Sequence, residues 1–327
     1  MPRVLVGGKI HDSGLDVLHA APDLQIDYVN AVEPEALEPF LPCANAILLR
    51  TQPFGAEVID RCPALQIVSR HGVGYDTVDV DALNARGIPL TIVGDVNARS
   101  VAEHAMMLLL AASHRLLAYD AATRHSADWG YRNSLEGREI AGKRLLIIGL
   151  GRIGRQLAKM AAGFDLDVFA YDPYQRTAPP DNVTMVDDLD AALTDADLVS
   201  LHIPKTDGVL LDAARLARMK PSAVIVNTAR GGSVDEPALA SALFNKTIHG
   251  AGLDVFTHEP PEADNPLIAS RYAVLTPHIA GLSLECAARM ATVSAQNIVD
   301  FFAGRLDPNL VVNAEALGLD RRAEKAS

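Results

Sequence analysis

Three stretches of this chain carry residues able to move a proton or hold an anion: VNTARGGSVDE (226–236), GLDVFTHEPP (252–261) and TPHIAG (276–281). They contribute Arg230, Glu259 and His278, each just beyond a strand-like run. Histidine is the usual acid/base near neutral pH. A carboxylate beside it favours the imidazolium form and fixes the tautomer. A guanidinium binds a carboxylate and polarises a carbonyl. Together the three suit hydride movement at C2 of a 2-hydroxy or 2-keto acid, where the oxygen must lose or gain a proton. Singly each is ordinary. An arginine after a strand is usually a surface or ion-pair residue, a histidine after proline is often only a turn residue, and Glu259 before Pro260 and Pro261 reads equally as a solvated loop charge. The chain has ten histidines, so most must be bland; His104 reads as structural.

A hydride needs a carrier, and LLIIGLGRIGRQLAKMAAGFDLDVFAYDP (145–173) is the stretch to hold one. Isolated glycines punctuate many turns. Here Gly149, Gly151 and Gly154 follow an apolar strand, open an amphipathic helix, and precede a second strand ending in Asp172. That is the context of a dinucleotide site, with the pyrophosphate on the helix N-terminus and the acid on the ribose. A carboxylate at Asp172 accepts ribose hydroxyls and repels a 2′-phosphate, which favours NAD as cofactor over NADP. Arg176, four residues on, is a candidate to soften that choice.

Strand-like and helix-like segments alternate along the chain. Such alternation implies an α/β protein with doubly wound parallel sheets covered on both faces. We expect two domains: 100–284 for dinucleotide binding, and 1–99 with 285–327 for substrate and catalysis. Long helices beginning near Ser100 and Ser283 are the expected crossovers, and the cleft between the domains the expected ligand site. Ser100 with Glu103 reads as a capping box opening one helix that runs to about residue 123.

The 327 residues carry a formal net charge of −12, which argues against sequence-independent nucleic-acid binding. Cys43, Cys62 and Cys286 have no CxxC or Cys/His spacing, so neither a disulfide framework nor a metal site is expected. The N-terminus lacks a signal-peptide pattern, and the longest apolar run, AMMLLLAA, is far below spanning length. A cytoplasmic protein with no membrane partner is expected.

GLGRIG with Asp172, NTARGG, DVFTHEP and TPHIAG, in this order and with HGVGYDTVD and SVAEH, resemble the D-isomer-specific 2-hydroxyacid dehydrogenase family over nearly the whole chain. The likeness is greatest to its 3-phosphoglycerate dehydrogenase-like members. It implies a Rossmann NAD domain inserted in a flavodoxin-like domain, with Arg230, Glu259 and His278 catalytic. It further implies cofactor contacts at Gly149, Gly151, Arg152, Ile153, Gly154, Asp172, Ile203, Pro204, Thr228, Ala229, Arg230, Asp254, His278 and Gly281. Substrate contacts are implied at Arg50, Val73, Gly74, Arg230 and His278, the turn at Val73–Gly74 acting through backbone N–H groups. Arg70 and Arg132 are further candidates for an anionic substrate. A homodimer joined through the NAD domain is implied, with the helix at 100–117 in the interface. Ala280 departs from the glycine that many members carry. The chain ends soon after its last long helix, so no C-terminal regulatory domain is expected. The leading expectation is NAD-linked oxidation of an anionic D-2-hydroxy acid such as 3-phosphoglycerate, with hydroxypyruvate or glyoxylate reduction as runner-up. Formate oxidation is disfavoured, because such relatives have glutamine at the position of Glu259. A different class, an NAD-sensing corepressor-like binding protein, is the remaining alternative.

Overall fold

A computed structural model describes residues 1–175 and 177–319; Arg176 lies outside the described residues. Two compact units result, Met1–Asn97 with the segment from Leu282 onward, and Ala98–Gly281.

The first unit is built from β1 (Arg3–Gly7), α1 (Asp12–His19), β2 (Gln25–Val29), α2 (Pro34–Leu37), β3 (Ala46–Leu49), α3 (Ala56–Asp60), β4 (Ile67–Arg70), α4 (Val80–Ala85) and β5 (Leu90–Thr91). Its sheet has the order β2-β1-β3-β4-β5 and is parallel throughout, Val4 pairing with Ile26 on one side and Ala46 on the other. This is the flavodoxin-like strand order. The run AILL of β3 is buried at every position, as a central strand covered on both faces requires.

The second unit comprises α5 (Ala98–Ser113), α6 (Leu116–Arg124), β6 (Arg144–Ile148), α7 (Arg152–Ala161), β7 (Asp167–Tyr171), β8 (Val183–Met185), α8 (Leu189–Asp195), β9 (Leu198–Leu201), α9 (Ala213–Leu216), β10 (Val224–Asn227), α10 (Glu236–Phe244), β11 (Gly250–Leu253) and β12 (Ala273–Leu275). The seven-stranded parallel sheet runs β12-β11-β10-β9-β6-β7-β8. The order reverses between β6 and β9, and open α/β sheets bind ligands at the C-terminal strand ends beside such a reversal. Ala105, Leu108 and Leu109 of α5 are wholly buried with Leu145, Ile147, Val224 and Val226 of the sheet. Each leucine so buried contributes about 1.5–3 kcal/mol of transfer free energy.

The chain then returns to the first unit as α11 (Leu284–Phe302), capped by Ser283, whose Oγ accepts from the Cys286 amide at 3.2 Å. Ala291, Ala295 and Ile298 recur at helical spacing and pack with Val4, Val6 and Ile67.

Two local expectations fail. Ser100 is inside α5 rather than at its cap: its Oγ donates to the Ala280 carbonyl at 2.8 Å, while Glu103 pairs with Arg99. The expected single helix is also two, because Arg115 takes a left-handed conformation (φ 56°) between α5 and α6. There its guanidinium is drawn inward, 3.1 Å from His249 Nδ1 and 4.5 Å above the Tyr272 ring. A buried tertiary site outweighs the helical periodicity of the local sequence. Among the described residues no helix is long and apolar enough to cross a membrane.

Candidate active site

The loops after β10, β11 and β12 leave the same edge of one parallel sheet, so their first residues are neighbours although they are far apart in sequence. His278 lies just past β12, with its amide donating to the Asp254 carbonyl at 2.8 Å and its φ at 53°. That conformation is uncommon for a residue with a side chain and persists where the surroundings hold it. Its Nδ1 stands 2.7 Å from Glu259 Oε2. A carboxylate only accepts, so Nδ1 carries a proton and Nε2 is left to act on another molecule. Glu259 is held in turn, its Oε1 accepting from the Phe256 amide at 3.0 Å.

The hydrogen bond to Glu259 raises the His278 pKa against the opposing effect of burial. Burial pushes Glu259 upward, but the bonds from His278 and the Phe256 amide outweigh it and leave its pKa lowered. The Arg230 guanidinium lowers the pKa of both, so its positive charge is felt at the pair. The three side chains singled out by the sequence therefore share one electrostatic neighbourhood. Arg230 Nη1 also donates to the Ala229 carbonyl at 2.7 Å.

Contacts between the loops set this arrangement. Asn227 shapes the arginine turn, its Oδ1 accepting from the Ala229 amide at 3.0 Å and its Nδ2 donating to the Arg230 carbonyl at 2.8 Å. A Cβ on Gly231 would stand 1.8 Å from the Phe256 carbonyl oxygen, so only glycine lets this turn meet the Phe256–Thr257 backbone. Glu236 accepts from the Thr257 amide (2.6 Å), the Thr257 hydroxyl (2.7 Å) and Asn265 Nδ2 (2.6 Å), bracing the loop that bears Glu259. Asp254 is wholly buried and accepts from the amides of Ile279 and Ala280, both at 2.8 Å. Asn227 and Glu236 were absent from the candidates read in the sequence, although both fall within VNTARGGSVDE. An amide or acid flanking a candidate turn was the available signal, and nothing local says which backbone groups it meets.

The glycine turn fits a dinucleotide. Gly149 has φ 93° and a Cβ there would meet the His202 carbonyl at 2.5 Å, while one on Gly154 would meet the Gly149 carbonyl at 2.3 Å. A Cβ on Gly151 would meet nothing within 4 Å, leaving room over the helix N-terminus for a phosphate. The first-turn amides of α7, among them those of Arg152 and Ile153, belong to that N-terminus. Asp172 accepts from the Leu150 amide and from the Tyr174 amide, both at 2.9 Å, so the acid is fastened to the glycine turn. Ile203 and Pro204 follow β9, Thr228 and Ala229 follow β10, and Gly281 closes the unit beyond β12. Thr228 Oγ1 is buried without a hydrogen-bond partner among the described residues, the condition expected of a group awaiting a ligand.

Arg50, Val73 and Gly74 belong to the first unit, beyond the ends of β3 and β4. Arg50 donates to the Lys9 carbonyl at 2.5 Å and burial lowers its pKa. Arg70 donates to the His71 carbonyl at 2.6 Å. Arg132, in the second unit, lies 6.0 Å from the Trp129 ring.

Residues 106–280 match the family described as D-isomer specific 2-hydroxyacid dehydrogenase, NAD binding domain. The chain is 40% identical over 315 residues to D-3-phosphoglycerate dehydrogenase of Mycobacterium tuberculosis, covering 95% of this chain but 59% of that relative. It is 36% identical over 318 residues to a glyoxylate reductase of Korarchaeum cryptofilum, covering 95% of this chain and 96% of the other. Among solved structures, an NADPH-dependent glyoxylate/hydroxypyruvate reductase from Sinorhizobium meliloti superposes with a TM-score of 0.83 at 28% identity, covering 98% of this chain and all of that one (100%).

Proposed function

The chain belongs to the D-isomer-specific 2-hydroxyacid dehydrogenase family, and from that premise we propose that it is an NAD-linked enzyme for an anionic D-2-hydroxy acid, with 3-phosphoglycerate the leading substrate. The family makes it an NAD(P)-dependent oxidoreductase acting on CH–OH groups; the choice of NAD and of substrate is our reading. The observation that carries the chemistry is the His278–Glu259 contact with Arg230 beside it.

Bound nicotinamide supplies the hydride acceptor in one direction and the donor in the other. In the oxidation, C2 gives up its hydrogen as hydride and the hydroxyl proton passes to His278 Nε2. In the reduction the same nitrogen returns that proton to the nascent alkoxide. Glu259 keeps the proton on Nδ1 and stabilises the imidazolium formed. Arg230 binds the substrate carboxylate and draws electron density onto the C2 oxygen. The amides of Val73 and Gly74 assist in holding the carboxylate, and Arg50 is assigned the second anionic group. In this reading His278 and Arg230 also meet the cofactor, with Gly149, Gly151, Arg152, Ile153, Gly154, Ile203, Pro204, Thr228, Ala229, Asp254 and Gly281.

Asp172 supports NAD over NADP, since its carboxylate repels a 2′-phosphate. Similarity to a phosphoglycerate dehydrogenase and a glyoxylate reductase keeps hydroxypyruvate or glyoxylate reduction as the second reading. A homodimer through the second unit is also proposed: Met107, Leu116 and Leu117 of α5 and α6 are large apolar side chains left exposed.

The test is a panel of 2-keto acids with NADH and of 2-hydroxy acids with NAD, run with and without a phosphorylated acid. Turnover highest on the phosphorylated acid supports the leading substrate. Preference for glyoxylate or hydroxypyruvate replaces it. No turnover above background, with NAD still bound, would favour a cofactor-sensing binding protein instead.

A further inference from the structure

His104 lies on α5, outside all three loops, yet its ring is directed at the loop that carries His278. Its Nε2 is 2.9 Å from Thr276 Oγ1 and 3.6 Å from Asp254 Oδ1, and the side chain is 12% exposed. The proton positions follow from the acceptors. Thr276 Oγ1 stands 2.6 Å from Asp254 Oδ1, and a carboxylate only accepts, so the hydroxyl proton points at Asp254. The hydroxyl oxygen then has only lone pairs left for His104, so Nε2 is the donor. The direction of the chain is fixed: His104 to Thr276 to Asp254.

Asp254 is the keystone of the loop. Its Oδ1 accepts from the Ile279 amide and its Oδ2 from the Ala280 amide, while its own carbonyl accepts from the His278 amide at 2.8 Å. One buried residue thus holds three consecutive amides, and His278, the first of that anchored run, has its backbone and so the direction of its ring set there. Removing a donor from the far end frees the Thr276 hydroxyl to turn and leaves Asp254 Oδ1 with one less fixed partner. Buried polar networks lose more than one bond when a member is missing.

We propose that His104 is a positioning residue for His278, acting through the Thr276 hydroxyl and the Asp254 carboxylate. The proposal rests on the acid–base role of His278 for its kinetic consequence, though not for the network itself.

The experiment compares His104→Leu, His104→Gln, Thr276→Val and the His104→Leu/Thr276→Val double variant. It reads kcat and KM for the best acid of the panel, and hydrogen exchange of a peptide spanning 276–281 with one from α11 as control. His104→Leu should lower kcat by about tenfold to a hundredfold, the scale of a small misplacement of a reacting group, with KM little changed. Exchange at 276–281 should quicken while α11 stays as it was. Glutamine, which restores an N–H donor of similar reach, should recover most of the rate. The double variant should fall no further than the worse single one, because both act through one path. Unchanged kcat and exchange in His104→Leu, a glutamine variant as impaired as leucine, or losses that multiply would each overturn the proposal. If the wild-type chain turns over no acid, or His278→Ala keeps full activity, the acid–base reading fails, and exchange at 276–281 alone then decides whether the network holds the loop.

Discussion

His278 Nδ1 and Glu259 Oε2 stand 2.7 Å apart across 19 residues of chain, and the contact leaves the histidine pKa raised and the glutamate pKa lowered. The two shifts are one statement read from both partners: the charged pair is favoured over the neutral one. An imidazole so placed holds its proton to higher pH and has its free nitrogen defined.

His278→Ala removes the proposed proton donor and acceptor. Turnover should fall by about 10²–10⁴-fold, the usual worth of general acid–base help, with NAD affinity far less affected. Steady-state kinetics with a cofactor titration checks it, and normal turnover would remove His278 from the mechanism.

Glu259→Gln keeps a hydrogen-bond acceptor but deletes the charge. In the proposed mechanism reduction of a keto acid needs protonated His278, so the wild-type rate should hold above the ordinary histidine range and decline as pH rises through the raised pKa. The variant should show that decline at lower pH. Oxidation, which needs the neutral ring, should gain at low pH by the same shift. The pH profile of kcat/KM in both directions reads it; coincident profiles would exclude Glu259 as the cause.

Arg230→Lys retains a charge but not the planar fork. KM for the acid should rise and kcat fall, because a point charge does not replace bidentate binding. Arg230→Ala should be worse on both counts. Kinetics equal to wild type would rule out the clamp.

Asp172→Ala should narrow the proposed preference for NAD over NADP, measured as the ratio of kcat/KM values. The substitution also frees the Leu150 and Tyr174 amides, so some weakening of both cofactors is expected. An unaltered ratio would show that another group makes the choice.

Burial holds the His71 pKa down to about 4 and the His202 pKa down to about 3. Both are neutral in the folded chain and charge readily once unfolded. Their contribution to stability is present above the ordinary value near 6.5 and is lost as pH falls from there through the folded pKa values. The loss is of order a few kcal/mol for each group. Chemical denaturation at pH 7 and pH 5 should give a clearly lower stability at pH 5, and His202→Asn should flatten the dependence. Equal midpoints at the two pH values would contradict this.

Much of the design is local and therefore readable from residue order. Aliphatic runs of four or five residues bounded by turns specify buried parallel strands, because both faces of such a strand lie in the core. Gly149, Gly151 and Gly154 specify a strand–turn–helix corner, because no side chain fits two of those positions. Residues just beyond β10, β11 and β12 were recognisable as a candidate set, since parallel strands deliver their ends to one edge. The mistakes were also physical. Ser100 with Glu103 has the spacing of a cap, but its hydroxyl is taken by the Ala280 carbonyl, and the helix starts before it. Arg115 ends α5 through His249 and Tyr272, 134 residues away in one case.

Residue types and their spacing determined the parallel sheets and the dinucleotide corner, since each depends on neighbours within a few positions, and they marked Arg230, Glu259 and His278 as candidates. Only the tertiary structure decided which groups hold those side chains: Asp254 under the histidine loop, Glu236 under the glutamate loop, Gly231 against Phe256 and His104 behind Thr276. Those are contacts between distant segments, and their partners are mostly backbone amides and carbonyls, which every residue possesses and no sequence pattern can single out.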